Sequence, residues 1–182
     1  MVDQKQAQFM KAYASCHEPF IRYCSALAYG KMDTEDLVQD VLLSAFQHFD
    51  RIAKKDQLLH YLIRAARNRS ISQWRKRKFK TEWVEKHQDK LATQGISPEL
   101  QLDIDLLYRQ LDRLPGHQRD ALILFEISGF SMKEIAVMQN SSIGAVKTKI
   151  SRGRKQLRQF MQEKGQSNPL ANVLKTVQSI VV

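Results

Sequence analysis

The fold is decided by the stretch SMKEIAVMQNSSIGAVKTKISRGRKQLR, residues 131–158. Ser131 and Glu134 stand three positions apart, which is the spacing of the capping box that begins a helix. Polar residues at 139–141 predict the end of this short helix, and a long helix is predicted from Ser142 onward. Two helices joined by a three-residue turn form a helix-turn-helix, whose second helix enters the major groove of DNA. The stretch therefore predicts a DNA-reading unit.

The second helix of this motif carries charge of one sign. Between residues 147 and 158 there are six basic side chains and no acid: Lys147, Lys149, Arg152, Arg154, Lys155 and Arg158. A helix-turn-helix pattern alone occurs in many unrelated sequences, but a basic second helix indicates a phosphate backbone as the partner. In the turn, Asn140 can adopt the left-handed conformation that such turns often need.

Upstream of the motif, the sequence predicts two more helices. Ser97 is a suitable cap, and Pro98 suits the first helical position. The helix that follows has an apolar stripe with spacings of four and three, made of Leu100, Ile104, Leu107, Leu111 and Leu114. Pro115 ends it, and a further helix through residues 121–125 is predicted to end at Gly129.

Three helices are predicted in the first half of the chain. The first covers about residues 4–29, with a kink or break at Pro19. The second begins at Asp33, a good N-cap, and the third covers about residues 57–78. The expected core positions are Val38, Leu42, Ala45, Phe46 and Phe49 in the second helix, and Leu59, Leu62, Ile63 and Ala66 in the third.

These elements predict an all-α protein of two small helical domains joined by a flexible linker. The first domain covers residues 1–80 and the linker 81–97, and the second domain, which holds the helix-turn-helix, covers 98–164. Residues 165–182 form an apolar-rich tail. Its apolar stripe consists of Leu170, Val173, Leu174 and Val177. This stripe is expected to pack on the protein's own helices or in a groove of a partner. The alternative is a frayed terminus.

The charge of the chain indicates a polyanionic partner. The 29 Lys and Arg residues against 19 Asp and Glu give a net charge of +10, which suits nucleic acid or an anionic membrane. The charges are segregated, since residues 64–80 contain eight basic side chains and no acid, whereas residues 33–50 contain five acids and no Lys or Arg. A solvated surface helix usually mixes both signs. Segregation therefore predicts two nucleic-acid faces and one surface for a basic partner.

The basic stretch 64–80 is predicted to combine phosphate contacts with base stacking. One helical stripe holds Arg64, Arg67, Asn68 and Arg75, and the aromatic residues Tyr61, Trp74, Phe79 and Trp83 are interleaved with the charges. Arginine side chains neutralise phosphates, and aromatic faces stack on unpaired bases. For Trp74 alone, an anchoring role in the core is the favoured interpretation.

The sequence offers no catalytic or metal-binding pattern. Paired carboxylates, metal-ligand spacings and a nucleophile beside a base do not emerge, and the five His residues are scattered. Cys16 and Cys24 are interpreted as reduced, buried thiols about 12 Å apart on one helix, too distant for a disulfide. A polar N-terminus and the lack of a long apolar segment predict a cytoplasmic protein without membrane insertion. The lack of a catalytic or metal-binding pattern predicts a protein with no cofactor and no enzymatic activity.

Several motifs together resemble bacterial RNA polymerase sigma factors of the extracytoplasmic-function (ECF) type. DTEDLVQDV, residues 33–41, resembles their core-polymerase-binding helix, and LIRAARNRSI, residues 62–71, resembles their helix for the −10 promoter element. Three further motifs resemble parts of the domain that reads the −35 element. They are LPGHQR at residues 114–119, EIA at 134–136 and GAVKTKISR at 144–152. These motifs occur in the family's order, and nothing between the two halves is large enough for the middle domain of housekeeping sigma factors.

The resemblance implies a sequence-specific transcription initiation factor that binds core RNA polymerase and promoter DNA, with an anti-sigma factor as a further partner. It assigns core-polymerase contacts to Asp36, Gln39 and Asp40. Contacts with the −10 element fall to the 49–56 loop and the adjacent helix, with Phe49, Arg51, Asp56, Arg64, Arg67, Asn68 and Arg75 as candidates. Contacts with the −35 bases fall to Lys147, Thr148, Ser151 and Arg152, and a phosphate contact to Arg154. Gly153 stands where the family usually has Ala.

Two alternatives come from other functional classes. A sigma-like decoy would sequester an anti-sigma factor without binding DNA, but such a decoy has no need for unbroken basic stretches. A plain helix-turn-helix repressor would leave the acidic helix and the aromatic-basic helix without a role.

Overall fold

Helices make up all the regular secondary structure in residues 2–52, 57–78 and 97–162, which are the residues that the computed structural model describes. The all-α prediction is confirmed. The chain divides into two compact units, Met1–Asp89 and Lys90–Val182. The predicted tail and all but the last residue of the predicted linker lie outside the described residues.

The first unit begins with two helices where the sequence predicts one. Helix α1 spans Val2–Ala14, and helix α2 spans His17–Ala28. The break lies at Ser15 because the ring of Pro19 would clash with the Ser15 carbonyl in a continuous helix. The break that the sequence predicts at Pro19 thus lies four residues upstream of the proline, and residues 2–52 and 57–78 contain four α-helices.

The start of helix α3, Thr34–Gln47, follows the predicted signals. Gly30 has a left-handed φ of +64° just after α2, as expected for the glycine that ends a helix. Asp33 is the N-cap, and its Oδ1 accepts hydrogen bonds from the backbone N–H groups of Glu35, at 2.8 Å, and Asp36, at 3.2 Å. The cap therefore fixes where the acidic helix begins.

The buried stripe of α3 matches the prediction at Ala45 and, just after the helix, at Phe49, but it is displaced by one residue at the three other predicted positions. Leu37, Val41 and Ala45 are buried, whereas the expected core positions Val38, Leu42 and Phe46 are half-buried. The apolar pairs along this helix offer two adjacent rows of side chains, and only packing between α2 and α4 selects one of them. Residues 38, 42 and 46 therefore form the edge of the core.

Helix α4 spans Leu58–Lys78 and packs against α2 and α3. Of the four core positions predicted for this helix, Leu59 is half-buried and the other three are buried. The buried residues with described side chains are Leu58, Leu62, Ile63, Ala66 and Ser70. Because this stripe faces inward, the described basic side chains of the helix, those of Arg64, Arg67 and Arg69, are exposed to solvent.

The second unit opens with helix α5, Pro98–Asp112. Ser97 caps it as predicted, since its Oγ accepts a hydrogen bond from the Leu100 N–H at 3.3 Å. The predicted apolar stripe is buried at Ile104, Leu107, Leu111 and Leu114, and only its first member, Leu100, is half-buried. The spacing of four and three is therefore a correct guide to this helix.

The helix predicted to end at Gly129 consists of two parts. Helix α6 spans Gly116–Leu122, and a π-helical turn follows over Ile123–Ile127. In this turn the Ser128 N–H donates to the Ile123 carbonyl, five residues back, at 2.9 Å. Gly129 then has a left-handed φ of +80°, so the predicted end is confirmed and the wider turn before it is new.

The helix-turn-helix consists of α7, Met132–Met138, and α8, Ile143–Gln162. The predicted capping box is present: Ser131 Oγ accepts from the Glu134 N–H at 3.3 Å, and Glu134 Oε2 accepts from the Ser131 N–H at 2.8 Å. Asn140 has a φ of +48° in the turn, as predicted. The start of α7 and the turn are thus set by local signals in the sequence.

Gly153 is the point of closest approach between α8 and α6. Gly153 is buried, and a Cβ built on it would lie 2.9 Å from Leu122 Cδ1 and 3.2 Å from Leu122 Cγ. Leu122 is itself buried and has little room to move. The departure from the family's usual Ala therefore has a structural reason, because α8 packs too closely against α6 for a larger residue.

We predict that Gly153→Ala destabilises the protein by about 1 kcal/mol, because overpacking outweighs the gain in helix propensity. Gly144→Ala is the matched control on the same helix, since its Cβ would meet nothing closer than Ser142 Oγ at 3.9 Å. That control should be neutral or stabilising by up to about 1 kcal/mol. Urea denaturation measures both, and equal stabilisation by the two substitutions would contradict the packing argument.

Candidate nucleic-acid and partner-binding surfaces

The outer face of α8 presents the predicted −35 readers together. Lys147, Thr148, Ser151 and Arg152 are all exposed. The inner face of the same helix is buried through Val146, Ile150, Gly153, Leu157 and Met161. A helix that buries one stripe and exposes a basic face opposite it can lie in a groove of DNA without disturbing its own packing.

Two polar side chains of α8 are engaged within the motif. The Thr148 hydroxyl donates to the Gly144 carbonyl at 3.0 Å, so the exposed side chain keeps the lone pairs of its oxygen and its methyl group for other contacts. Lys149 Nζ donates to Gln139 Oε1 at 2.8 Å. Lys149 therefore links α8 to the end of α7, and this basic side chain supports the geometry of the helix-turn-helix.

Arg154, which the resemblance predicts to contact phosphate, has partners within its own unit. Its Nε donates to Glu126 Oε1 at 2.5 Å, and its guanidinium lies 5.3 Å from the centre of the Phe125 ring. Glu126 comes from the π-helical turn, 28 residues away in sequence, so no local pattern could have revealed the pair. The side chain of Arg154 is 43% exposed, which leaves part of the guanidinium accessible to solvent.

The exposed face of α4 brings together three of the predicted −10 contacts. Arg64, Arg67 and Asn68 are exposed on successive turns of the helix. The hydroxyl oxygens of Tyr61 and Ser44 lie 3.4 Å apart, so Tyr61 is tied to α3 at the edge of this face. Arg75 and Trp74 belong to α4, but their side chains are not among those that the structure describes. Phe79 and Trp83 lie outside the described residues.

Phe49 is not available as a DNA contact, contrary to the prediction. It belongs to a short 3-10 helix, Phe49–Arg51, and its side chain is only 4% exposed. Its ring packs edge-on against the ring of Phe9 of α1, with centroids 5.2 Å apart. The sequence assigned Phe49 both to the core and to the loop, and the core assignment is the correct one. Arg51 is exposed, and Asp56 lies outside the described residues.

Helix α1 supports the segment that leads into this loop. Lys5 Nζ lies 2.5 Å from Asp50 Oδ2 and 5.2 Å from the centre of the Phe46 ring. The ring of Phe9 also packs edge-on against that of Phe46, at 5.5 Å. No local pattern predicts that α1 contacts the start of the loop, because these contacts join residues about 40 positions apart.

The acidic surface lies on α3. Asp36 and Gln39 are exposed, and together with Asp40 they line an open polar cleft of about 300 Å³, to which α4 contributes Gln73. Asp40 is also engaged within the unit. The Arg69 guanidinium of α4 contacts its Oδ2 through Nη2, at 2.9 Å, and through Nε, at 3.1 Å. The three predicted polymerase contacts are therefore adjacent, but one of them already has a cation.

Both cysteines are buried free thiols, as predicted, although they do not share one helix. Cys16 precedes α2 as its N-cap residue, whereas Cys24 lies inside α2. Burial raises the pKa of the Cys16 thiol to about 11 and also raises the pKa of Cys24. Both thiols are therefore protonated at neutral pH, which makes them poor nucleophiles and poor metal ligands.

Within the three described ranges, no group of three or more His, Cys, Asp or Glu side chains is placed to hold a metal ion. No helix in the described part of the chain has the length and apolar character needed to span a membrane.

Two sigma-factor families match the chain. Residues 12–80 match sigma-70 region 2, and residues 104–157 match sigma-70 region 4. The ECF RNA polymerase sigma factor EcfG of Rhodopseudomonas palustris is 31% identical over 140 residues, which cover 76% of this chain and 77% of EcfG. The chain belongs to the ECF family of RNA polymerase sigma factors.

Further relatives agree with this assignment. The ECF sigma factor SigW of Bacillus subtilis is 26% identical over 153 residues, covering 77% of this chain and 81% of SigW. The structure of the sigma factor RpoE in complex with the anti-sigma factor NepR from Bartonella quintana has a TM-score of 0.62 and 28% identity, over 89% of this chain and 98% of that one. CnrH, in complex with the cytosolic domain of CnrY, has a TM-score of 0.65 at 20% identity, which supports the fold alone.

This ECF sigma factor is a promoter-recognising transcription initiation factor. The acidic surface of α3 and the basic face of α4 both lie within the match to region 2. The exposed reading face of α8 lies within the match to region 4. The surfaces that charge segregation indicates are thus carried by the two regions that define the family.

For the reading face, we predict different losses for two arginines two residues apart. Arg152→Ala should cost about 1–3 kcal/mol on the preferred −35 sequence and relax discrimination there, because a base contact is lost. Arg154→Ala should weaken binding to all sequences alike and flatten its salt dependence. Glu126→Gln should strengthen binding to all sequences, because it releases Arg154. Holoenzyme binding to −35 variants, titrated with salt, measures all three.

A uniform loss for Arg152→Ala would make it a phosphate contact instead of a base contact. Unchanged affinity for Glu126→Gln would mean that Arg154 serves packing and makes no contact with DNA.

Proposed function

We propose that this sigma factor binds core RNA polymerase through the α3 surface of Asp36, Gln39 and Asp40, and contacts the −10 and −35 elements through α4 and α8. The observation that carries the proposal is the separation of charge on exposed helix faces. The α3 face is acidic, and the exposed faces of α4 and α8 are basic. Each surface accordingly suits one partner and repels another.

The acidic surface is suited to a basic partner for two reasons. Asp36 lies in the first turn of α3, where the helix dipole favours a negative charge, and it remains exposed. Gln39 adds an amide that can both donate and accept hydrogen bonds. Helix α3 therefore holds these carboxylates in place before a basic segment of core polymerase binds to them.

The α4 face is suited to the −10 element because it combines cations with an amide. Arg64 and Arg67 would neutralise phosphates, and Asn68 would offer hydrogen bonds to an exposed base. With Phe49 in the core, Arg51 and Asp56 are the proposed contacts from the 49–56 loop. Arg75, on the same predicted stripe of α4 but nearer its C-terminal end, would extend the contact with the phosphate backbone of the DNA.

On α8, we assign base contacts to Lys147, Thr148, Ser151 and Arg152. Arg152 has the guanidinium geometry that pairs with guanine in the major groove, and Thr148 and Ser151 suit smaller contacts with base edges. Arg154 is assigned to phosphate, after release from Glu126. We propose no cofactor and no enzymatic activity for the chain, because its surfaces would position polymerase while polymerase performs the chemistry.

An anti-sigma factor is the further partner that we propose. The sigma factor RpoE from Bartonella quintana, which is 28% identical to this chain, forms a complex with the anti-sigma factor NepR. By analogy, a comparable protein would hold this chain inactive in the cytoplasm. We further propose that residues 81–97 act as a linker between a polymerase-binding domain, 1–80, and a −35-binding domain, 98–164.

We predict that Asp36→Lys weakens binding to core polymerase about tenfold or more, because a like charge faces the basic partner. Glu35→Lys is the matched control, since Glu35 is equally exposed but lies about 100° around the helix from Asp36. It should retain nearly the parental affinity. Fluorescence titration of the labelled full chain measures both, with circular dichroism to verify the helical content. Equal affinities for the two variants would refute the α3 assignment.

Run-off transcription separates an active sigma factor from the decoy alternative. Purified core polymerase with the full chain should yield discrete transcripts from genomic fragments, and core polymerase alone should not. Binding to an anti-sigma factor together with an absence of any specific transcript would instead support a decoy.

A further inference from the structure

The ion pair between Arg69 and Asp40 joins the two surfaces of the first unit. Asp40 stands on the acidic face of α3, next to Gln39, and Arg69 stands on α4, next to Asn68. Both contacts of the guanidinium go to one carboxylate oxygen, Oδ2, at 2.9 Å from Nη2 and 3.1 Å from Nε. One residue of the proposed polymerase surface is thus bound to a residue of the basic stretch that the proposed function directs to DNA.

The position of this ion pair allows another cation to replace Arg69 at Asp40. The side chains of Arg69 and Asp40 are 50% and 43% exposed, so water and salt screen their attraction, and exposed pairs of this kind contribute about 1 kcal/mol or less. A second cation can approach Asp40 from solvent, and Arg69 can turn away without leaving a buried charge. The pair can therefore open at little cost once each partner gains another contact.

We propose that Arg69 is a placeholder cation that core polymerase displaces from Asp40, and that the released guanidinium then binds the phosphate backbone of promoter DNA. The proposal rests on the proposed function of the α3 and α4 surfaces, and it adds Arg69 to the residues that act in promoter binding. In the free protein, the pair neutralises one charge on each surface. In the holoenzyme, each of these charges faces its own partner.

Such an exchange makes the two binding events cooperative. Polymerase that holds Asp40 frees a cation for DNA, and DNA that holds Arg69 frees a carboxylate for polymerase. Because coupling between two binding sites is reciprocal, each partner raises the affinity of the chain for the other by the same factor. The factor is limited by the strength of the pair, which corresponds to about two- to fivefold.

A double-mutant cycle on the full chain tests the exchange, with Arg69→Gln, Asp40→Asn and the two combined. Arg69→Gln should raise the affinity for core polymerase about two- to fivefold, because Asp40 no longer needs to be released. In the Asp40→Asn background, the same substitution should have no effect. Lys11→Gln removes an equal charge from an exposed position of α1 in the same unit, away from both surfaces, and should leave the affinity for polymerase unchanged in both backgrounds.

The DNA side of the exchange is measured on the free protein with a single-stranded −10 oligonucleotide. Asp40→Asn should raise the affinity about two- to fivefold, because Arg69 is released, and adding Arg69→Gln should abolish the gain. The proposal is overturned if Arg69→Gln lowers polymerase affinity, which would mean that Arg69 positions the carboxylate. It is also overturned if the increase persists in the Asp40→Asn background, which would indicate a general charge effect. Asp36→Lys keeps the outcomes separate: if it fails to weaken polymerase binding, the proposed function itself is wrong.

Discussion

Burial of a single apolar stripe on each charged helix is the constraint on which this molecule depends. Helices α4 and α8 carry so many like charges that repulsion would weaken them in isolation, and their stability must come from packing. Val146, Ile150 and Leu157 supply it in α8, and Leu62, Ile63 and Ala66 supply it in α4. Once these stripes face inward, described residues on the opposite side of each helix, such as Arg64 and Arg67 in α4 and Lys147 and Arg152 in α8, face solvent. The binding faces are thus a geometric consequence of the core.

Each unit also restrains one of its own basic residues with a carboxylate from a neighbouring element. Asp40 holds Arg69 in the first unit, and Glu126 holds Arg154 in the second. Both arginines keep 43% exposure or more, so neither is committed to the interior. A strongly basic protein binds nucleic acid without regard to sequence. Internal carboxylates that neutralise part of that charge favour binding where several contacts are made at once.

Local signals explain how much of this structure could be predicted from sequence. The caps at Asp33, Ser97 and Ser131, the turn at Asn140 and the exposed face of α8 follow from a few neighbouring residues. The burial of Phe49, the choice of inner row on α3 and the engagement of Arg154 depend on contacts between distant segments. Pro19 belongs to both groups, since its effect was foreseen but falls at Ser15. Sequence patterns here predict where helices begin and end, but they do not predict which distant side chains contact one another.

The strict division of α8 into an inner and an outer face has a consequence for evolution. Lys147, Thr148, Ser151 and Arg152 are exposed, so substitutions at these positions open no cavity in the core, and under the assignment proposed above they would alter promoter preference. A duplicated copy can therefore diverge toward a new set of target genes while it remains folded. Gly153 is the opposite case, because its contact with Leu122 leaves no room for a side chain. Substitutions are thus tolerated on the exposed side of α8 and disfavoured on its buried side.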